Sequence, residues 1–305
     1  MKYWFNCFGL RVASDVDLCS WKVAPGSPDL VINVRRCRRE LMPEPSVQWG
    51  RDAAASVSWA VLPRLARVEA HDSGELLIEP AEGLDIDSLR SLVISTALPL
   101  ALQSLPGLLL EGSAIRWQGQ DLLILGRGCC GKSSLAALMA DVGAELLADS
   151  HCFVRLNGDG HLVVSPALPH VRLWPAQARL LGPGWPDPKK LRPSLKKGLF
   201  VVPERFAVTT GGVHGMIILW RGIDDLFRQR RFELTESLQA TASAGNRLRV
   251  NANPALMKLR FNIMSRLTSL RLCHLIQWPR SGGAELETRS RLLELLANQG
   301  WGVGA

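Results

Sequence analysis

The chain has 305 residues, 47% of them hydrophobic and 21% charged, and carries a formal net charge of +8. This composition describes a soluble globular chain with one large core or two modest ones, and no internal repeat or low-complexity tract argues for a fibrous or disordered polymer. The positive balance favours an anionic partner such as a nucleotide, an acidic peptide or nucleic acid, although its clusters (Arg35–Arg39, Lys189–Lys190, Lys196–Lys197 and Arg228–Arg231) read equally as solvated surface.

Up to about residue 85 the pattern is that of short strands. "YWFNCFGLRV", "DLVINV", "ASVSWAVL", "ARVEA" and "GELLIEP" alternate in hydropathy and are separated by Pro, Gly, Ser and Asp. A small β-rich N-terminal domain, residues 1–85, is expected. Asp87 is placed to cap a helix running to about residue 104. The apolar stretch 91–110 contains Pro99 and Pro106, so a buried helix leading into a strand is expected there and not a membrane span. "LLLEGSAIRW" and "DLLILG" read as two paired strands joined by the turn Gln118–Gly119–Gln120. A helix over Lys132–Asp141 follows, closed by Gly143. "AELLADS", "HCFVRL" and "HLVVS" resume as strands, the last two joined by the turn Asn157–Gly160. The Pro-, Gly- and Lys-rich segment 182–198 reads as a loop, "GMIILW" as a buried strand, and 234–243, 254–268 and 286–298 as helices with the strand "LRLCHLIQW" before the last.

Seven cysteines without paired spacing and without a C-x-x-C argue for reduced thiols, and "MKYWFNCFGL" lacks the pattern of a secretion signal, so a cytoplasmic protein is expected. His151, His161, His170 and His214 lack metal-ligand spacing.

The most informative stretch is "GRGCCGKSS", residues 126–134. Gly126, four residues, Gly131, Lys132 and Ser133 have the spacing of a loop whose backbone amides surround phosphates. Its lysine reaches the outer phosphates and the following hydroxyl binds magnesium. An apolar strand precedes it and a helix pattern follows, the context this motif needs. ATP and Mg2+ are therefore the expected ligands, contacted by Gly126, Arg127, Gly128, Cys129, Cys130, Gly131, Lys132, Ser133 and Ser134. A relic loop that keeps the fold without a ligand is the alternative. Thiols this close to a lysine and a helix N-terminus are expected to have lowered pKa values.

From "LLLEGSAIRWQGQDLLILGRGCCGKSSLAALMADVGAELLADS" the chain resembles the HPr serine kinase/phosphorylase superfamily, and more narrowly the HPr-kinase-like proteins of ribosomal (lasso) peptide biosynthesis clusters. "HVRLWP", "VVPERFA", "FGLRVASDVDL" and "PDLVINV" extend the likeness along most of the chain. The resemblance implies an α/β fold, with a phosphoenolpyruvate-carboxykinase-like P-loop core over residues 86–305. It implies an ATP-dependent kinase acting on a serine hydroxyl of a peptide or small protein. It also implies a metal site at Ser133 and Asp149, and departures from the family pattern. Glu111 stands where these kinases carry a histidine near the γ-phosphate, and Asp149–Ser150 where they carry paired aspartates. Asp149 or Glu111 then has to serve as base, with Lys132 contacting phosphate and Arg172 phosphate or substrate. In "HVRLWP", Val171, Leu173 and Trp174 are expected to anchor Arg172 in the core. Lys189, Lys190, Arg192, Lys196 and Lys197 form a loop suited to an acidic peptide or the transferring phosphate, or an ordinary solvated loop. A nucleotide-binding partner protein without catalysis is the alternative; homo-oligomers are compatible with the chain, while membrane and nucleic-acid partners are not expected.

Overall fold

Alternating burial makes the N-terminal part a sheet, as β5 and β6 show, where every second side chain is buried. The computed structural model describes residues 2–18, 21–36, 46–190, 196–222, 227–231, 233–245, 254–270, 272–278 and 284–298. Strands β1 (Tyr3–Cys7), β2 (Leu10–Ser14), β3 (Leu30–Val34), β4 (Gln48–Asp52), β5 (Val57–Leu62), β6 (Ala66–His71) and β7 (Glu75–Pro80) form a seven-stranded sheet in the order β1-β2-β3-β7-β6-β5-β4. The sequence reading missed β4. It lies at the sheet edge, mostly exposed, and has no apolar alternation to announce it.

The next segment is α1 (Ile86–Leu92), a wide π-helical turn (Val93–Ala97) and α2 (Leu98–Leu102). Its cap is Asp85, two residues before the expected Asp87. The Asp85 carboxylate accepts from the Ser88 backbone N–H at 2.8 Å, while Asp87 sits in the first turn and pairs with Arg90. The wide turn directly precedes Pro99, whose ring and missing N–H do not fit a regular α-helical turn.

The remaining elements are β8 (Leu108–Leu110), β9 (Gly112–Trp117), β10 (Gln120–Gly126), α3 (Lys132–Ala140), β11 (Glu145–Ala148), β12 (Cys152–Leu156), β13 (Leu162–Val164), β14 (His170–Leu173), α4 (Pro175–Ala178), β15 (Lys189–Lys190), β16 (Gly198–Val201), β17 (Gly211–Arg221), β18 (Arg228–Arg231), α5 (Leu234–Ser243), α6 (Pro254–Thr268), β19 (Leu272–Trp278) and α7 (Ala284–Asn298). The stretch read as one strand over 108–117 is two, broken at Glu111. β8 pairs with β12, whereas β9 pairs with β10 and β11. Within the loop read over 182–198, Lys189–Lys190 pairs with β16; Arg192 lies outside the described residues.

A mixed sheet carries the order β11-β9-β10-β17, with β19 and then β18 beyond β17. β17 runs parallel to both β10 and β19. Leu122–Leu125 are wholly buried because both faces of this sheet are covered. Leu122 and Ile124 pack with Leu135, Met139, Leu292 and Leu296 of α3 and α7. Leu123 and Leu125 face the cluster that holds Leu92, Leu100, Ile263 and the seven-stranded sheet's Val12 and Ile32. The protein is therefore a mixed α/β fold, rich in strands. No described helix is long and apolar enough to cross a membrane.

Candidate functional site

β10 delivers the glycine loop and α3 receives it. Gly126 has φ +142°, and a Cβ there would lie 2.3 Å from the Leu219 carbonyl oxygen and 2.8 Å from Cys130 Sγ. Only glycine lets the end of β10 run this close to β17. Gly131, at φ +96°, turns the chain into α3 and accepts from Leu135 N–H at 2.9 Å. Lys132 Nζ folds back over the loop, donating to the carbonyls of Gly126 at 2.8 Å and Arg127 at 2.9 Å. An ammonium held over a loop at a helix N-terminus is an arrangement that attracts anions. Arg127, Gly128 and Cys129 are exposed, Ser133 is half-buried and Ser134 buried.

One of the two adjacent thiols, Cys130, departs from the expected lowering. Cys130 is buried, and that burial pushes its pKa up despite the nearby Lys132 charge. Cys129 points to solvent from a left-handed backbone at φ +62°. Cys7, Cys152 and Cys273 are likewise free thiols.

A second polar group gathers where β11 ends. Asp149 Oδ1 accepts from Ser113 Oγ at 2.8 Å; Oδ2 accepts from the Arg172 backbone N–H at 3.0 Å and from Ser150 Oγ at 3.2 Å. Arg172 Nε in turn donates to Ser150 Oγ at 3.0 Å, so Ser150 bridges carboxylate and guanidinium. Burial lowers the Arg172 pKa from its ordinary value, with Asp149 opposing the shift. Burial, reinforced by the Arg172 charge, pulls the adjacent His151 down to about 3, so its imidazole is neutral near pH 7. Ser150 holds a left-handed φ of +70°.

Strand order brings loop and cluster to one edge of the sheet. Gly112 opposes Leu125, Ala148 opposes Ala114, and Gly126 opposes Leu219. Glu111, Gly126 and Asp149 therefore all lie at the carboxyl ends of the parallel strands β10 and β11, the usual ligand edge of α/β sheets. Glu111 is half-buried at the kink between β8 and β9, its N–H bonded to the Ala244 carbonyl at 2.6 Å and its neighbour Gly112 N–H to the Ser150 carbonyl at 3.2 Å.

Val171 and Leu173 anchor Arg172 in the core as expected. Trp174 does not: it is exposed, and Lys197 Nζ stands 5.6 Å from its ring centroid. Lys189, Lys196 and Lys197 line a cleft of ≈ 650 Å³ together with Trp185 and Phe200. Sequence reasoning missed Ser113, a small residue inside a buried strand that carries no motif. It also missed the bridging part played by Ser150. Among the described residues no group of three or more His, Cys, Asp or Glu side chains is placed to hold a metal ion.

No family model matches the chain, and no curated protein matches it. Among solved structures it is similar to the Hpr(Ser) kinase/phosphatase from Coxiella burnetii, with 14% identity, a TM-score of 0.32, and coverage of 63% of this chain and 97% of that one. So distant a likeness leaves the chemistry to the residues themselves.

Proposed function

We propose that the protein is an ATP-dependent kinase of the HPr-kinase type, with a phosphoenolpyruvate-carboxykinase-like P-loop core. It transfers phosphate to a serine hydroxyl of a peptide or small protein, a ribosomally made lasso-type precursor being the favoured substrate. The observation that carries this reading is the Lys132 ammonium folded over the Gly126–Ser134 loop at the sheet edge that also holds the Asp149–Ser150–Arg172 cluster.

In this reading the loop amides and Lys132 bind the phosphates, and Arg172 supplies further positive charge. Ser133 and Asp149 would hold magnesium. One hydroxyl and one carboxylate suit a hydrated Mg2+ completed by phosphate oxygens, and do not suit an all-protein cage. Magnesium supplies neutralisation of phosphate charge. Asp149 or Glu111 accepts the proton of the substrate hydroxyl, a contribution of about 10²–10⁴-fold beside the larger effect of positioning.

The second reading, a nucleotide-binding partner of another peptide-tailoring enzyme, has one observation in its favour. Both Asp149 oxygens already accept hydrogen bonds, from Ser113, Ser150 and Arg172. Binding a metal or taking a proton competes with those bonds.

Calorimetry with Mg·ATP and transfer of radiolabelled phosphate to a serine peptide separate the readings. Lys132→Ala should weaken ATP binding more than about tenfold, since it removes a charge-assisted contact to phosphate. Asp149→Asn should abolish transfer; Glu111→Gln should keep ATP affinity and slow transfer by about 10²–10⁴-fold, and transfer at the wild-type rate assigns the base to Asp149. Equal ATP binding by wild type and Lys132→Ala sinks the phosphate-loop assignment. Wild-type binding with no transfer to any serine peptide supports the partner reading.

A further inference from the structure

The loop has two flanks, and only one carries the Asp149 cluster. On the other, past β17, a cleft of ≈ 380 Å³ opens on Gly126 and Arg127 and is bounded by Trp220, Arg230, Glu236, Gln239 and Gln277. That volume lies within the range of small-ligand sites. β10, β17 and β19 are parallel, so the cleft sits at the same carboxyl edge as the loop.

We propose that this cleft is the nucleoside subsite, holding a purine base while the glycine loop holds the phosphates. The assignment rests on the phosphate-loop reading above. The strand order dictates the polarity of such a ligand. Its terminal phosphate points towards Asp149 beyond β11, and its base lies across β10 on the β17–β19 side. β11 and β17 are three strand spacings apart, about 14 Å, a span that an extended nucleoside triphosphate covers.

The lining has the chemistry of base recognition. The Arg127 guanidinium lies over the Trp220 ring, 5.4 Å from its centroid, and the indole is 44% exposed. A guanidinium above an indole face makes a cation–π pair, and the exposed indole offers a purine a surface to stack on. Arg127 belongs to the glycine loop, so the stack ties base and phosphate sites together. The far wall is preformed: Arg230 makes a two-point ion pair with Glu236 at 2.6 and 2.7 Å, and Glu236 also accepts from the Glu233 N–H at 3.3 Å at the start of α5. Arg230 holds the Glu236 carboxyl well below its ordinary range, at about 2, so it is an acceptor-only group near pH 7 and suits the exocyclic amine of a purine.

The test is calorimetry with ATP and with inorganic tripolyphosphate, each with magnesium, on wild type, Trp220→Ala, Gln239→Trp and Lys132→Ala. Gln239 is exposed on α5, so a tryptophan there fills the cleft without touching the core. Trp220→Ala and Gln239→Trp should each weaken ATP about tenfold, equivalent to about 1.4 kcal/mol, and leave tripolyphosphate unchanged. Lys132→Ala should weaken both ligands. If wild type binds ATP no better than tripolyphosphate, or if both cleft variants weaken the two ligands equally or not at all, the cleft is not the nucleoside site and the loop reading survives. If wild type binds neither, the loop reading itself is lost and the subsite with it.

Discussion

At the scale of single residues the decisive contact is one hydroxyl. Ser150 Oγ gives its hydrogen to Asp149 and accepts one from the half-buried Arg172, while its backbone sits at φ +70°. A left-handed non-glycine residue costs on the order of 1 kcal/mol and recurs at functional sites. Ser150→Ala keeps the backbone cost and leaves Arg172 Nε without this acceptor. It should lose about 1–3 kcal/mol in urea unfolding. Ser150→Gly loses the same bond but relieves the backbone, so it should lie measurably closer to wild type. Equal stability of Ser150→Ala and wild type would show that the bridge contributes nothing. The residue that differs from the paired-aspartate pattern is thus built into the cluster, a role its identity alone did not disclose.

At the scale of elements, a strand edge and a strand crossing are held by different means. Edge strand β4 is clamped to the turn after β6 by Arg51, whose two nitrogens reach the Asp72 carboxylate at 3.0 and 2.5 Å. That hydrogen-bonded pair lowers the Asp72 pKa from its ordinary 3.8. A carboxylate whose pKa falls on folding adds stability above its unfolded value and loses it as pH drops through the folded one. Asp72 is partly exposed, so the pair contributes about 0.5–1 kcal/mol. Asp72→Asn should destabilise by that amount at pH 7 and by nothing once pH has fallen below the folded value, read from urea midpoints at the two pH values. An equal loss at both would assign the effect to packing. The β10–β17 crossing depends instead on Gly126. Gly126→Ala drives a methyl into the Leu219 carbonyl, and a loss of several kcal/mol or failure to fold is expected from denaturation and solubility measurements.

At the scale of the whole molecule, one buried cluster runs from Val12 and Ile32 through Leu92 and Leu100 to Leu123, Met216 and Ile263. The helical segment 86–102 lies inside that cluster, between the seven-stranded sheet and one face of the mixed sheet. Leu100→Ala should therefore cost about 2–5 kcal/mol. Tryptophan fluorescence and far-ultraviolet circular dichroism should still report one coincident transition. Two separated transitions would mean that the sheets unfold independently.

Local chemistry sufficed for the glycine loop, for α3, α5, α6 and β19, and for the buried character of β10, because each is written in neighbouring residues. Glycine spacing encodes backbone freedom, 3.6-residue periodicity encodes a helix face, and an unbroken apolar run encodes burial on both sides. The exposed edge β4, the kink at Glu111 and the outward turn of Trp174 escaped that reading, since edge position, strand exchange and exposure depend on which neighbours arrive. The site was legible only in part for the same reason. Lys132 and Asp149 stand out in the sequence, but Ser113 beside Asp149, and Trp220 beside Arg127, depend on the lateral order β11-β9-β10-β17. Tertiary structure decided that order, because β17 and β19 reach β10 from 90 residues and more downstream, and strand order is set by packing two faces at once and not by any local propensity.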